Sequence, residues 1–415
     1  MRYIPLPQEL IEYITDHLKN DPHSLQVSSL ISKPFRSPSQ RHLFSAIEIT
    51  VSNETRNRTL YDILSVHPEL ACHVKKLKLL LIADNDIGMP GDAIIVGEDM
   101  LIATLQMMPC IRTLDFGSYW FGTAQWENYS FALRSSILDL LRLPYLEHVV
   151  ASQITDFPCS LAFEGCNLKT LKVSYLNTSL NVNPMTLDIG VVQQTEEHVK
   201  PWNVEKLIIA SIPNMVAPVI GSLFSTYTLP SMGNLTTLEI GEVGTDEGIN
   251  MCQKLVESTT TLEHLRLRVI EPCMQRWPKS IHLGSLVFLR SFDLHVAGNP
   301  HQALQWISET LSSIPSSNNL ESIVLCLGDM IVPPTLQEEE WRDIDLTIQN
   351  WDAPNLYLVY LSVHASGLEP DFSRFLLTKV PNLFLRKIVS LANNCAQIYP
   401  HDQSWPASSL PLNFR

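Results

Sequence analysis

The residues of this chain that could bind a metal ion or act in catalysis do not have the spacing that known metal-binding and catalytic motifs require. The run Asp84-Asn85-Asp86-Ile87-Gly88 resembles the start of a calcium-binding loop. Such a loop needs a bidentate glutamate at its twelfth position, and Ile95 stands there. The sequence also contains no nucleophile elbow, no phosphate-binding glycine loop and no zinc-binding H-E-x-x-H motif. We therefore predict no catalytic residue, no metal site and no cofactor, and we do not expect an enzyme.

The cysteines of the chain are scattered, and none of the eight belongs to a C-x-x-C pair. This spacing argues against a zinc ribbon and against a disulfide framework. Cys110 follows Pro109 at a predicted helix end, and Cys252 falls on an apolar helix face, so neither has the polar surroundings of a reactive thiol. A hydrolase with an unrecognised catalytic site stays open as one hypothesis. The cysteines are Cys72, Cys110, Cys159, Cys166, Cys252, Cys273, Cys326 and Cys395.

Composition narrows the kinds of partner. The 415-residue chain is 45% hydrophobic and 17% charged, with a formal net charge of −14. A net acidic chain without a local Lys/Arg run lacks the electrostatic footprint of a nucleic-acid binder. No apolar stretch approaches the length of a membrane span, and the N-terminus has no apolar signal region. We expect a cytoplasmic or nuclear protein that is not secreted and binds neither nucleic acid nor membrane.

The first forty-eight residues predict a small helical module with more apolar surface than it can bury by itself. Pro7 suits the first turn of one helix, and Asp21 with Pro22 suits the N-cap and first turn of the next. Ser37-Pro38 predicts the start of a short third helix, and a strand follows at 47–51. The apolar positions of the first two helices are Leu10, Ile11, Ile14 and Leu18, then Leu25, Val27, Leu30 and Ile31.

A hexad with apolar residues at its first, fourth and sixth positions then recurs ten times, with starts 22–38 residues apart. Because the fourth and sixth positions alternate as in a strand, each hexad predicts one short strand. The hexads are Val74-Leu77-Leu79, Ile111-Leu114-Phe116, Leu146-Val149-Ala151, Leu168-Leu171-Val173, Val204-Leu207-Ile209, Leu235-Leu238-Ile240, Leu262-Leu265-Leu267, Leu289-Phe292-Leu294, Leu320-Ile323-Leu325 and Leu358-Leu361-Val363.

Helical spacing fills several of the gaps between hexads, for example at Leu101, Leu105 and Met108. Alternating strands and helices predict an α/β protein in which right-handed crossovers place every helix on one side of a parallel sheet. The predicted product is an irregular solenoid with a concave sheet and convex helices. The predicted regions are the helical module at 1–48, the solenoid at 49–400 and a C-terminal tail at 401–415.

The N-terminal pattern resembles the F-box motif, and the chain looks especially like fungal F-box proteins with degenerate leucine-rich repeats. Phe35 occupies the place where many F-boxes carry tryptophan. The resemblance implies docking on the Skp-type adaptor of an SCF (cullin–RING) ubiquitin ligase, while the repeats hold the protein substrate. The residues that it assigns to the adaptor-facing and packing surface are Leu6, Pro7, Leu10, Ile11, Ile14, Leu18, Leu25, Leu30, Ile31 and Phe35.

The exposed face of the predicted sheet is the candidate substrate surface. Positions three, five and seven of the hexads point to this face, and a basic patch is expected around Arg266. A solvated sheet face of mixed charge is the alternative for any single residue. Val150, Ile208 and Val324 fall on the same face and predict a buried contact. The candidate substrate-binding residues are Lys78, Asp115, Lys172, Glu239, His264, Arg266, Arg268 and Asp293.

Two further hypotheses stay open. In the first, the N-terminal helices only cap the first repeat, and the chain is a leucine-rich-repeat interaction scaffold that acts outside a ubiquitin ligase. In the second, the aromatic insert after the second hexad is a recognition hot spot rather than core, and we favour core. The insert holds Tyr119, Trp120, Phe121, Trp126, Tyr129 and Phe131.

Overall fold

A computed structural model shows an α/β protein whose strands pair in parallel. The chain divides into two compact units, Met1–Trp202 and Asn203–Arg415, and each is described by itself. The predicted regions at 1–48, 49–400 and 401–415 follow a different division and stay a prediction. The structure describes residues 6–81, 97–118, 122–159, 167–174, 203–210, 216–224, 232–271, 277, 279–315, 318–328, 338–350, 355–356, 358–363 and 389–392, so the predicted tail lies outside the described residues.

The N-terminal module is formed by helices α1 (Gln8–His17), α2 (Pro22–Ile31) and α3 (Lys33–Leu43). The second helix begins as predicted, because the Asp21 carboxylate accepts a hydrogen bond from the Ser24 backbone N–H at 3.1 Å. The predicted start of the third helix at Ser37-Pro38 is wrong. The helix begins at Lys33 and continues through Pro38, which is buried, so packing outweighs the one ladder hydrogen bond that proline cannot donate.

The first unit contains a parallel sheet in the strand order β1-β2-β3-β5-β7, and neighbours in this order are hydrogen-bonded to each other. A separate pair of two-residue strands lies beside it. The sheet strands are β1 (Ala46–Thr50), β2 (Lys76–Leu80), β3 (Thr113–Gly117), β5 (His148–Ser152) and β7 (Thr170–Ser174), and the short pair is β4 (Ala124–Gln125) with β6 (Ile154–Thr155).

The second unit repeats this arrangement, and its successive strands also pair in parallel. Its strands are β8 (Lys206–Ala210), β9 (Thr237–Val243), β10 (His264–Ile270), β11 (Ser291–Ala297), β12 (Ser322–Gly328), β13 (Leu358–Val363) and β14 (Val389–Ala392).

Helices occupy several of the connections between the strands, as the apolar spacing predicts. In the first unit they are α4 (Glu54–Val66), α5 (Pro68–Ala71), α6 (Glu98–Gln106) and α7 (Phe131–Leu141), with a 3-10 turn at Trp126–Asn128. In the second unit they are α8 (Val216–Phe224), α9 (Asp246–Glu257), α10 (Pro300–Ser312) and α11 (Glu338–Asn350).

The strand prediction from the hexads is confirmed, since all ten hexads coincide with strands of the two units. In β10 and β11 buried residues alternate strictly with partly exposed ones, and Leu265, Leu267 and Leu294 are at most 1% exposed. This alternation gives the two strands an apolar face and a polar face, whereas β12 is buried on both faces after its first residue. Strand β14 was not predicted, because Asn393 stands at the sixth position of the hexad that would begin at Ile388.

The aromatic insert is core at Trp126 and Tyr129, which are 3% and 5% exposed. Trp126 packs edge-on against Phe157 with ring centroids 4.9 Å apart, and Phe157 contacts Phe116 of β3 at 5.3 Å. Phe131, at the start of α7, is 66% exposed, so the prediction of core is wrong there. The residues at 119–121 lie outside the described residues.

Gly117 ends β3 in a backbone conformation with a φ of 147°, where a side chain is strained. A Cβ atom there would collide with the backbone carbonyl oxygen of Ser152, which also accepts the Ser118 N–H at 3.1 Å. The close approach of two neighbouring strands therefore requires glycine at this position.

Replacing Gly117 with alanine is expected to lower the free energy of unfolding by at least about 2 kcal/mol, because the backbones of β3 and β5 must separate. Urea unfolding followed by circular dichroism measures the change. Gly233→Ala is the control, since its Cβ would have no neighbour within 4 Å. Equal stability of the two variants would contradict the close strand approach.

Candidate functional site

The N-terminal module exposes two apolar stripes, one on each of its first two helices. Leu6, Leu10 and Tyr13 follow helical spacing at the start of the chain and along α1, and they are 49%, 42% and 61% exposed. On α2, the exposed fractions are 47% for Val27, 82% for Leu30 and 68% for Ile31. Large apolar side chains clustered on the surface in this way are typical of protein-interaction sites. We call these six residues the apolar stripes of α1 and α2.

The structure separates the predicted adaptor-facing residues into those that pack and those that are presented. Ile11 and Leu25 are 3% and 1% exposed, so they hold the helices together. Sequence reasoning did not include Tyr13 and Val27 in the surface, although Tyr13 follows Leu10 at i+3. Of the remaining predicted residues, Ile14, Leu18 and Phe35 are half-buried, whereas Leu6, Pro7, Leu10, Leu30 and Ile31 are exposed.

Helix α3 supports both stripes, because α1 and α2 each pack against it. A polar contact adds to this packing: His42 of α3 and Asp16 of α1 lie 2.7 Å apart between Nε2 and Oδ1. The buried Thr15 hydroxyl also donates to the Ile11 carbonyl oxygen at 3.0 Å, so the polar group of this side chain is satisfied within α1. The geometry of the stripes is therefore set by side chains that lie behind them.

In the first unit, the predicted substrate residues lie on the polar face of the sheet. Parallel register places Lys78 of β2 opposite Asp115 of β3, and Lys172 of β7 lies opposite Val150 of β5. All four side chains are half-buried. Lys78 also pairs with Glu48 of β1, with Nζ and Oε2 3.2 Å apart. The row thus carries both signs of charge.

In the second unit, the predicted residues Glu239, Arg266 and Asp293 stand side by side on β9, β10 and β11. The Arg266 guanidinium lies between the two carboxylates, at 3.3 Å from Glu239 Oε2 and 3.3 Å from Asp293 Oδ2. Lys206 of β8 reaches the other oxygen of Glu239 at 2.6 Å. Four neighbouring strands are therefore linked across the sheet by one ionic network.

A bulge adds a second ion pair on the same strands, β9 and β10. Between β9 and β10 the register shifts after Leu267, and Glu242 adopts a positive φ of 41°. The bulge presents the Glu242 carboxylate to Arg268, with Oε1 and Nη1 3.2 Å apart. We call Lys206, Glu239, Glu242, Arg266, Arg268 and Asp293 the ionic network of β8–β11.

The prediction of a basic patch around Arg266 is wrong. Three cationic and three anionic side chains make up the ionic network, so its formal charges balance. Glu239, which was predicted to face solvent, is 7% exposed because Lys206 and Arg266 cover it. His264 on the same face is exposed. Of the apolar residues predicted to make a buried contact, Val324 is 8% exposed, whereas Val150 and Ile208 are half-buried.

The described residues offer little for covalent or metal chemistry. Among them, no group of three or more His, Cys, Asp or Glu side chains is arranged to hold a metal ion. Burial raises the pKa of the Cys252 thiol to about 12, so this thiol is not a nucleophile. Within the same part of the chain, no helix combines the length and apolar character that crossing a membrane requires.

Comparison with known proteins does not assign a family. No protein-family model matches the chain, and no curated protein is significantly similar to it. The functional argument therefore depends on the two surfaces described above, the apolar stripes of α1 and α2 and the polar sheet faces.

Removing the central charge of the ionic network is expected to destabilise the second unit. Arg266→Met leaves Glu239 and Asp293 close together and partly uncompensated, so we expect the free energy of unfolding to fall by about 3 kcal/mol. Urea unfolding at neutral pH measures this change in the free energy of unfolding. Arg290→Met is the matched control, because Arg290 is half exposed and pairs with Glu263 and Glu321 at 3.4 and 3.8 Å. It should cost less than about 1 kcal/mol, and equal losses would contradict a special role for Arg266.

Proposed function

We propose that this protein is the substrate-recognition subunit of an SCF ubiquitin ligase. In this proposal the N-terminal module is an F-box that docks on the Skp-type adaptor, and the parallel strands and helices form a leucine-rich-repeat-like solenoid that binds a protein substrate. The chain would perform no chemistry of its own. It would raise the effective concentration of substrate lysines near the charged ubiquitin-conjugating enzyme.

The observation that carries the proposal is the exposure of the apolar stripes. Leu30 and Ile31 are 82% and 68% exposed on a module whose own packing already uses Ile11 and Leu25. Side chains of this size are more often buried than presented to water, and their removal from water stabilises a complex by about 1.5–3 kcal/mol each. A helical partner surface that covers both stripes fits this arrangement.

The polar sheet faces support the second half of the proposal. The ionic network of β8–β11 has neighbouring charges of opposite sign at fixed distances, which favours a partner with a complementary charge pattern over a generally acidic or basic one. His264 and the half-buried Ile208 lie on the same face and extend the surface that a protein substrate could contact. The substrate is therefore expected to be a folded or extended protein segment with mixed charge.

One observation favours the alternative, a repeat scaffold outside a ligase. Helix α3 leads into β1 after two residues, and the Ser45 carbonyl oxygen accepts N–H groups of Lys75 and Lys76, both at 2.9 Å. The module is thus bonded directly to the first strands, as a capping unit would be. A test of docking must therefore leave the fold of the module intact.

Replacing Leu30 and Ile31 together with serine is expected to weaken adaptor binding at least about 100-fold, since the pair would lose about 4 kcal/mol of apolar contact. The measurement is binding of the purified full-length chain to recombinant Skp-type adaptor by isothermal titration calorimetry. Both side chains are exposed, so circular dichroism of the variant should match the parent.

Val66→Ser is the matched control, because Val66 is 71% exposed on α4, outside the module. It should bind the adaptor like the parent. If the folded parent does not bind the adaptor, or if the double variant binds as tightly as the parent, the ligase proposal fails and the scaffold alternative takes its place.

A further inference from the structure

The outer edge of β1 carries a second candidate docking site, and it does not depend on adaptor binding. Among the described residues, strand β1 pairs with β2 alone, and it is the first strand in the sheet order. Its odd-numbered residues point their backbone groups toward β2: the Ser45 carbonyl oxygen accepts from Lys76, and the Val51 N–H donates to Leu80 at 3.0 Å. The alternation of a strand therefore turns the N–H and C=O groups of Ala46, Glu48 and Thr50 outward.

This edge is open over a short length. In the described part of the chain, the backbone groups of Ala46 and Glu48 take part in no hydrogen bond on the outer side. The edge closes at Thr50, whose carbonyl oxygen accepts from the Asn53 N–H at 3.0 Å and from Asn57 Nδ2 at 3.1 Å. An added strand could therefore pair with the first half of β1 but not beyond it.

A cavity of about 370 Å³ runs beside this open edge, between β1 and α4. The strand and the helix that follows it run in opposite directions, so the cavity has two chemically different ends. Asn57 of α4 bonds Thr50, so the start of the helix, with Arg56, lies toward the Thr50 end, and the helix direction carries Ile63 toward the Ala46 end. The apolar lining residues are Leu43, Phe44, Ile47, Ile49, Leu60 and Ile63.

The cationic end of the cavity is available to a ligand. Arg56 is exposed, and its guanidinium forms no ion pair or hydrogen bond among the described residues. The nearby Glu48 carboxylate is compensated by Lys78 at 3.2 Å. The Arg56 guanidinium is therefore the group at this end that could pair with an anionic side chain.

We propose that an extended segment of a partner protein adds to β1 as a further parallel strand. The segment would place an apolar side chain in the cavity near Ile63 and, two residues later, a carboxylate near Arg56. Hydrogen bonds with Ala46 and Glu48 would supply affinity, and the two pockets would supply specificity. The two-residue spacing follows from the period of a strand, since both side chains must point to the same face.

The test uses a fluorescein-labelled peptide of sequence TTITDTT with blocked termini and the purified full-length chain, measured by fluorescence polarisation up to 1 mM. Saturable binding is expected, and Arg56→Glu should weaken it at least about tenfold. A TTITKTT peptide should recover binding to that variant by exchange of charges. Arg58→Glu is the matched control on α4, since Arg58 is exposed and does not line the cavity.

The backbone contribution is tested separately by Ala46→Pro. Because the Ala46 N–H points outward, proline removes a donor to the added strand and keeps the bonds to β2. The variant should fold like the parent by circular dichroism and bind TTITDTT at least about tenfold more weakly. The reversed peptide TTDTITT should also bind more weakly than the original, because its carboxylate would face Ile63.

Three results would overturn the proposal: no saturable binding by the folded parent, equal binding by Arg56→Glu and Arg58→Glu, or no effect of Ala46→Pro. A concentration-dependent dimer of the parent that Ala46→Pro dissociates would replace it with edge-to-edge pairing between two copies of this chain. Adaptor binding by the Arg56→Glu variant should equal that of the parent, so this proposal and the ligase proposal fail independently.

Discussion

The structure depends on one constraint: a strand of five to seven residues with a single apolar face cannot bury that face alone. Strand β10 illustrates it, since Leu265, Leu267 and Val269 are at most 1% exposed in a strand that β9 and β11 flank on both sides. The apolar faces of neighbouring strands form one continuous buried layer within a unit. The charged positions between the apolar ones are then forced onto a shared polar face.

That polar face explains why ionic pairs recur in register. In-register parallel strands bring the same position of each hexad to within one strand spacing, so charges of opposite sign stabilise the row and like charges would destabilise it. Arg266 between Glu239 and Asp293 satisfies this rule, as does Lys78 beside Glu48. The same ladder that orders the fold therefore gives the candidate recognition surface a defined alternation of charge.

The sequence predicted the fold better than the surfaces. Hexads such as Leu262-Leu265-Leu267 specify strands because burial of alternate residues is a local property of the chain. Burial of Glu239 was not predictable, since it depends on Lys206 and Arg266, which are 33 and 27 residues away. The α1 and α2 pattern likewise identified the apolar residues but could not separate Ile11, which packs, from Leu10, which is presented, because that division is made by the position of α3.

A sheet that grows by adding strands must also end, and β1 is where the sheet of the first unit ends. Proteins commonly cover such an edge or limit its length, because open N–H and C=O groups invite pairing with other chains. Here the N-terminal module precedes the edge, and Asn57 closes it at Thr50, whereas no described residue bonds the outward backbone groups of Ala46 and Glu48 beside the apolar cavity. An edge that is blocked at one end and open at the other can pair only with a short segment. This restricts the tendency of an open edge to pair with any exposed strand, so that pairing depends on the segment that is offered.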